Sequence, residues 1–279
     1  MIHRRAFVGS GFAFAAMPAF TLAKAAERLV IKGALEQGSL ALGYAEKGAH
    51  VTIDGEKVRL STEGVFAFGF AFDQTRASTI AVTWPDGSTE TQSYVPTARQ
   101  YEIQRVNGLP QNTVTPPPEV LERIKKEAAQ IYEARQRDTE GADFLGGFDW
   151  PAPGIESGVF GSQRIDNGVP MAPHFGVDMA APTGTPIRAP ADGAVSMSAD
   201  HYLNGGFTLI DHGQGVSTSY LHQSKRLVKE GDKVRRGQLI GHIGQTGRAT
   251  GPHLHWAMNW FEVRLDPSLS TKKPKPEPL

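Results

Sequence analysis

The feature that most constrains this chain is its density of helix-breaking residues, with 31 glycines and 19 prolines in 279 positions. Glycine and proline punctuate turns and interrupt helices, so this content favours turn-rich β structure. Short β-branched or alternating runs lie between the turns, which is typical of strands. A chain of this length accommodates two modest domains. We therefore predict an all-β fold in which a small N-terminal β-sandwich is joined by a linking helix to a C-terminal β-sheet-rich domain.

The N-terminal part, residues 26–110, carries several short strand patterns. The clearest are His50–Ile53, Val58–Leu60, Val65–Phe70 and Ile80–Trp84. Asp54-Gly55 separates the first two, and this dipeptide is a strong hairpin signal. About five to seven short strands at this spacing are typical of a small β-sandwich. We find no catalytic constellation in these residues, so we expect the chemistry to lie in the second part.

Residues 111–147 are predicted to form a proline-rich break followed by the linking helix. The break is Pro116–Pro118, and the helix is predicted over Glu119–Arg137. Four apolar residues recur at helical spacing on one face. These are Val120, Ile124, Ala128 and Ile131. The mixed charges elsewhere on the helix indicate a solvated face, with a partner-binding face as the alternative.

The sequence predicts a signal peptide at the N-terminal end and a disordered tail at the C-terminal end. Residues 1–25 have a charged start, an uncharged run from Ala6 to Leu22 and an Ala23-Lys24-Ala25 exit, which is the layout of a secretory signal peptide. A membrane anchor is the alternative, but glycine and proline interrupt the run and it is short of about 20 apolar residues. Arg4-Arg5 leaves both the Sec and the twin-arginine route open. Residues 270–279 are polar and proline-rich and are predicted to be disordered.

Charge and cysteine content exclude several classes of function. Lys plus Arg and Asp plus Glu both total 29, so the formal net charge is zero and no nucleic-acid partner is expected. The absence of cysteine excludes a disulfide framework, a thiolate zinc site and a cysteine nucleophile. No segment after the signal peptide could span a membrane, so we expect no stable membrane insertion after signal cleavage.

Three short motifs in the C-terminal part carry the residues suited to catalysis. They are His174-Phe175-Gly176-Val177-Asp178, Tyr220-Leu221-His222 and Gly251-Pro252-His253-Leu254-His255. On a strand, His253 and His255 share one face, although two imidazoles so placed need not bind the same ion. His174 and Asp178 lie on the same side of a strand or of a helix, and their neighbours favour the strand. Two imidazoles and one carboxylate form a catalytic zinc set, whereas calcium and magnesium prefer oxygen ligands.

Taken in this order with their glycine-rich flanks, the motifs resemble the lysostaphin-type zinc metallopeptidases of family M23, also called LytM-like peptidases. The matching flanks are Ser157–Gly161, Ala180–Pro186, Ala189–Gly193, Ile210–Gly213, Gly231–Val234 and Gly241–Gly251. The resemblance covers about residues 150–268, so we place a LytM-like peptidase domain at 148–269. Ala257 departs from the pattern, because many members of the family carry an acidic residue there.

The resemblance implies a role for each of five residues. His174, Asp178 and His255 are the implied Zn²⁺ ligands, and His222 and His253 are the implied catalytic histidines. The sequence contains no H-E-x-x-H motif, so no helix-borne glutamate is expected to act as the base.

The resemblance also implies what the chain acts on. The expected function is an exported zinc metalloendopeptidase that cuts peptide cross-links of peptidoglycan in a Gram-negative periplasm, at the D-alanyl–diaminopimelate bond. Its expected partners are the peptide stems of peptidoglycan. Two alternatives stay open: a catalytically weak LytM-like factor that binds the wall and regulates other hydrolases, and a pure binding module.

Overall fold

The computed structural model describes residues 28–272 and residue 274. The predicted signal peptide, residues 1–25, and residues 275–279 of the predicted tail lie outside the described residues. The strands are β1 Val30–Lys32, β2 Leu40–Tyr44, β3 His50–Ile53, β4 Glu56–Lys57, β5 Val65–Gly69, β6 Ser78–Thr83, β7 Thr89–Tyr94, β8 Ile103–Val106, β9 Ile155–Gly158, β10 Gln163–Asp166, β11 Val169–Pro170, β12 Val177–Ala180, β13 Pro186–Arg188, β14 Gly193–His201, β15 Gly205–Asp211, β16 Val216–Gln223, β17 Lys225–Arg226, β18 Lys233–Val234, β19 Leu239–His242, β20 His253–Trp260 and β21 Val263–Leu265. The helices are α1 Gln111–Val114 and α2 Pro118–Arg135, with 3₁₀ turns at Asp143–Gly146 and Pro267–Ser270.

Two small antiparallel sheets form the N-terminal part, and their strand orders are β1-β2-β5 and β4-β3-β6-β7. Phe66 and Phe68 of the first sheet share one buried cluster with Val51 and Ile80 of the second. The predicted all-β class is therefore confirmed. The fourth strand lies at Glu56–Lys57 rather than at Val58–Leu60, because it pairs with β3 directly across the Asp54-Gly55 turn.

The linking helix α2 begins at Pro118, where a proline costs the helix no hydrogen bond, and ends two residues before the predicted end. Along its predicted apolar face, only Ile131 is buried. Ile131 packs against Phe207 and Leu209 of β15. The C-terminal turns of the helix therefore dock on the second part of the chain, while its first turns face solvent. None of the described helices combines the length and the apolar composition that a membrane span requires.

The main sheet of the C-terminal part has the order β18-β14-β15-β16-β20-β12-β9, and β21 pairs with β20. The predicted alternation along β20 is confirmed, because Leu254 and Trp256 are fully buried in the core while His253 and His255 lie on the opposite face. That core also contains Ile187 of β13 and Ile240 of β19, which belong to a second, three-stranded sheet. One face of the main sheet is thus buried against the second sheet, and the other face carries the histidines.

The two parts of the chain are joined by more than the linking helix. The buried Gln214 side chain donates to Val65 O and accepts from Ala67 N, both at 3.1 Å. Arg99 forms a salt bridge of 2.9 Å with the buried Asp266. Strand β8 at the end of the N-terminal part pairs in parallel with β10 of the C-terminal part. These contacts hold the sandwich and the main sheet in a fixed relation.

The C-terminal end of the described chain is hydrogen-bonded to Phe148, where the sequence predicted a disordered tail from residue 270. Phe148 N donates to Ser270 O and Lys272 N donates to Phe148 O, each at 3.0 Å. These backbone bonds extend the ordered chain through Lys272, beyond the predicted domain end at 269.

Candidate metal centre

Two neighbouring strands and one loop bring three potential metal ligands together. Asp178 of β12 lies directly opposite His255 of β20 in the antiparallel register, so both side chains lie on the same face. His174 lies in the loop that leads into β12. Its Nε2 is 2.9 Å from Asp178 Oδ1 and 2.9 Å from His255 Nδ1, and the last two atoms are 2.8 Å apart. The three donor atoms therefore form a nearly equilateral triangle.

The hydrogen bonds around this triangle show that it suits a cation. His174 Nδ1 donates to the Val159 carbonyl at 3.0 Å, so its Nε2 carries a lone pair and points inward. Asp178 Oδ1 is also an acceptor, while Oδ2 accepts from Arg164 Nη2 at 2.6 Å. One proton on His255 could satisfy only one of the three short contacts, whereas a cation satisfies all of them. Two imidazole nitrogens and one carboxylate oxygen are a donor set that fits Zn²⁺.

The pKa shifts favour the protonation states that bind a metal. Burial acts to raise the pKa of Asp178, but the neighbouring His174 and His255 outweigh it and hold that pKa well below its usual value. Burial lowers the pKa of His255 to about 4, against the opposing effect of Asp178. An ionised carboxylate and neutral imidazoles are the forms in which these side chains act as ligands.

Two further histidines lie beside the triangle. The rings of His222 and His253 are 4.7 Å apart, and the ring of His222 is 6.3 Å from that of His255. His222 Nδ1 donates to Thr246 O at 2.8 Å, and His253 Nδ1 donates to Gly251 O at 2.9 Å. In the neutral form of each ring, this bond selects the tautomer in which Nε2 carries the lone pair. Burial, followed by the nearby His253 and His255, lowers the pKa of His222 to about 3, so this ring is neutral at pH 7.

The backbone of His222 has a conformation that is uncommon for a residue with a side chain. Its φ is 63°, at the point where the register between β16 and β15 shifts. A non-glycine residue in this region is held by its surroundings at some cost in free energy, and such residues cluster at functional sites. The Nδ1 bond to Thr246 and the backbone bond from His222 N to Asn204 O hold it there.

The ligands are packed against two glycines. A Cβ at Gly176 would lie 2.6 Å from the ring of His255, and a Cβ at Gly158 would lie 2.4 Å from Asp178 Oδ2. Neither position could therefore carry a side chain without displacing a ligand. Both glycines occur in the sequence motifs that resemble family M23, and the structure supplies a physical reason for them.

The triangle opens into a groove of about 760 Å³. Its floor is the exposed face of the main sheet, including Leu221 and Ala257. Its far wall is formed by α2, through Ile131 and Arg135, and by the segment around Leu109. The N-terminal part and the linking helix thus contribute directly to the walls of the groove.

Sequence reasoning missed Arg164, which lies on β10 and fixes the second oxygen of Asp178. No motif marks this position, since its role depends on the pairing of β10 with β8. It also missed the carbonyl groups of Val159 and Thr246, which orient His174 and His222. A backbone carbonyl is present at every residue, so no pattern of side chains can mark one that accepts such a bond. Val159 does, however, lie in Ser157–Gly161, a segment that resembles family M23.

Comparisons with known proteins identify the family of this chain. The model of peptidase family M23 matches residues 172–267. A crystal structure from Pseudomonas aeruginosa, described as a peptidase M23, superimposes with a TM-score of 0.66 and 30% identity, covering 84% of this chain and 94% of that one. The chain belongs to peptidase family M23.

The curated relatives described next match about a third of this M23 chain. Peptidoglycan DD-endopeptidase ShyA of Vibrio cholerae is 52% identical over 88 residues, which are 32% of this chain and 20% of ShyA. DD-carboxypeptidase/endopeptidase Mpg of Neisseria meningitidis is 43% identical over 104 residues, which are 37% of this chain and 24% of Mpg. The M23 chain therefore spans only about a fifth to a quarter of the length of these relatives.

Proposed function

We propose that this M23 chain is an exported zinc metalloendopeptidase that hydrolyses peptide cross-links of peptidoglycan. The observation that carries the proposal is the convergence of His174 Nε2, Asp178 Oδ1 and His255 Nδ1 beside the rings of His222 and His253 in one groove. The names of the relatives, peptidoglycan DD-endopeptidase and DD-carboxypeptidase/endopeptidase, support this substrate class. We further propose that the D-alanyl–diaminopimelate bond is the bond that is cut, and that the chain acts in the periplasm.

In this proposal His174, Asp178 and His255 hold the zinc ion. When bound there, zinc supplies a Lewis acid and lowers the pKa of a bound water to about 7. Arg164 keeps Asp178 in position, because its guanidinium fixes the oxygen that does not face the other ligands. The carbonyl oxygen of Val159 accepts a hydrogen bond from His174 Nδ1, and this bond fixes the tautomer and the orientation of the His174 ring.

We propose that His222 and His253 transfer the proton of the attacking water. Each has its Nδ1 hydrogen committed to a backbone carbonyl, so Nε2 can accept a proton from the attacking water. Once protonated, the same nitrogen can donate to the leaving amine or to the oxyanion of the tetrahedral intermediate. His253 Nε2 lies 3.9 Å from Asp178 Oδ1, which places it beside the ligand triangle without joining it.

Release of soluble fragments from dye-labelled, cross-linked peptidoglycan tests the proposal. We expect release by the purified wild-type chain, loss of release after a chelator, and recovery on adding zinc. The His255→Ala variant should release nothing, because only two ligands remain. A wild-type chain that binds peptidoglycan and carries zinc, yet releases no fragments, would support the regulatory factor instead.

A further inference from the structure

The most unusual side chain in the groove is Arg135, near the C-terminal end of α2. The helix carries an apolar face at residues 120, 124, 128 and 131, and the next position on this face is Arg135. The side chain is only 7% exposed, and its Nε has no hydrogen-bond partner among the described residues. Its one ion pair in the described chain is with Glu262, at 3.9 Å, which is too long for a hydrogen bond.

A second arginine approaches the same place from the sheet. Arg264 of β21 pairs with Asn259 of β20, so its side chain lies on the face that carries His255. Its guanidinium lies 5.7 Å from the ring centre of Phe175, the residue that follows His174. Arg264 forms no ion pair within the described part of the chain. It therefore also faces the groove that holds the metal centre.

The charges around these two arginines do not balance. Burial, followed by repulsion from Arg264, lowers the pKa of Arg135 to about 9, against the opposing effect of Glu262. Burial also lowers the pKa of Arg264, and Glu262 again opposes the shift. The side chain of Glu262 is 39% exposed and also accepts a hydrogen bond of 3.4 Å from Gln136. A buried and a half-buried guanidinium group thus share one partly solvated carboxylate.

A buried cation with only one long ion pair is costly, and an apolar residue at position 135 would continue the face of the helix without that cost. A ligand that supplies negative charge would offset this cost. A guanidinium binds a carboxylate through two parallel hydrogen bonds, and this geometry makes arginine suited to recognise such a group. Both arginines line the groove that holds the metal centre.

We infer that Arg135 and Arg264 form a subsite that binds a free carboxylate of the peptide substrate. The inference rests on the proposed function and adds to it a specificity for anionic peptides, part of which is contributed by the linking helix. A diaminopimelate residue at the cross-link offers such a group, because it keeps a free carboxylate next to the amine that it contributes to the scissile bond. The subsite would distinguish this carboxylate from the corresponding carboxamide.

Steady-state kinetics on two cross-linked stem peptides test the subsite. The peptides differ only in carrying free carboxylates or carboxamides on diaminopimelate. For the full wild-type chain loaded with zinc, we expect kcat/KM to be about 10- to 100-fold higher for the carboxylate peptide. Arg135→Met and Arg264→Gln should each remove most of this preference, because each should raise KM for the carboxylate peptide more than KM for the carboxamide peptide.

Thermal unfolding separates recognition from a structural role. Arg135→Met should raise the Tm, because it replaces a buried cation, whose one ion pair in the described chain is long, by an apolar side chain of similar length. Arg123→Met, on the exposed part of the same helix, is the matched control and should change neither the preference nor the Tm by much. If Arg135→Met fails to fold, Arg135→Lys, which keeps the charge but loses the planar fork, should reduce the preference in part.

Each outcome bears on one of the two proposals. Equal kcat/KM of the wild-type chain for both peptides overturns the subsite and leaves the endopeptidase intact. A lower Tm for Arg135→Met with the preference unchanged also overturns the subsite, since it makes Arg135 a structural residue. No cleavage of either peptide by the zinc-loaded wild-type chain rejects the endopeptidase, and the subsite with it.

Discussion

Replacing Gly176 by alanine tests whether the metal centre depends on the close packing behind its ligands. The new methyl carbon would lie 2.6 Å from both Cε1 and Nε2 of His255, and 2.7 Å from the carbonyl oxygen of Trp256. To reach an ordinary contact of 3.4 Å, the ring or the backbone must move by about 0.8 Å. The φ of Gly176 is not in the left-handed region, so the effect is steric rather than conformational.

The consequences follow from the position of His255 in the triangle. Its Nδ1 lies 2.8 Å from Asp178 Oδ1, and a shift of about 0.8 Å is large compared with the tolerance of a metal site. We expect zinc affinity to fall about 10- to 100-fold, as for the loss of groups that orient ligands. Displacing a catalytic group by about 1 Å lowers the rate on the order of 10²-fold. Overpacking should also lower the free energy of unfolding by about 1–3 kcal/mol.

Zinc competition against a chromogenic chelator, urea unfolding and peptide cleavage measure these three effects. Gly141→Ala is the matched control, because the nearest atom to its new methyl group would be 3.5 Å away and its φ is also outside the left-handed region. Wild-type zinc affinity in Gly176→Ala, together with kcat/KM within twofold of the wild-type value, would refute the packing argument.

Three further predictions concern the other groups of the site. His222→Ala and His253→Ala should each keep a full equivalent of zinc and lose about 10²–10⁴-fold in rate, and zinc loss in metal analysis would instead make the residue a ligand. His255→Ala should lose most of its zinc on dialysis, and retention of one equivalent would show the ligand assignment to be wrong. Ile131→Ala should lower the free energy of unfolding by about 2–5 kcal/mol, because Ile131 is only 8% exposed; an unchanged urea midpoint would contradict the docking of α2 on β15.

The sequence predicts those features of the site that depend on local periodicity. The two-residue repeat of a strand places His253 and His255 on one face, and the antiparallel register then sets Asp178 opposite His255. Glycine and proline content predicts the β class. The helix α2 is predicted to within two residues of its end, because its apolar spacing and its proline start are both local signals.

The features that the sequence could not predict depend on contacts between distant segments. Arg164 reaches Asp178 because β10 is aligned by β8, which lies about 60 residues earlier in the chain. Arg135 follows the apolar face of α2 as a charged residue, and only the docking of α2 shows that it is buried. Strand β7 carries only polar residues and one tyrosine, so no hydrophobic alternation marks it, and its pairing with β6 alone defines it.

Mass spectrometry of muropeptides after digestion by the purified chain tests the central claim most directly. Purified Gram-negative peptidoglycan would be treated with the zinc-loaded wild-type chain, with His255→Ala as the inactive control. The account predicts that cross-linked dimers disappear and that monomers accumulate with a free D-alanine carboxyl group and a free diaminopimelate amine. Dimers that survive wild-type digestion at the level of the control, or cleavage at any other bond, would contradict it.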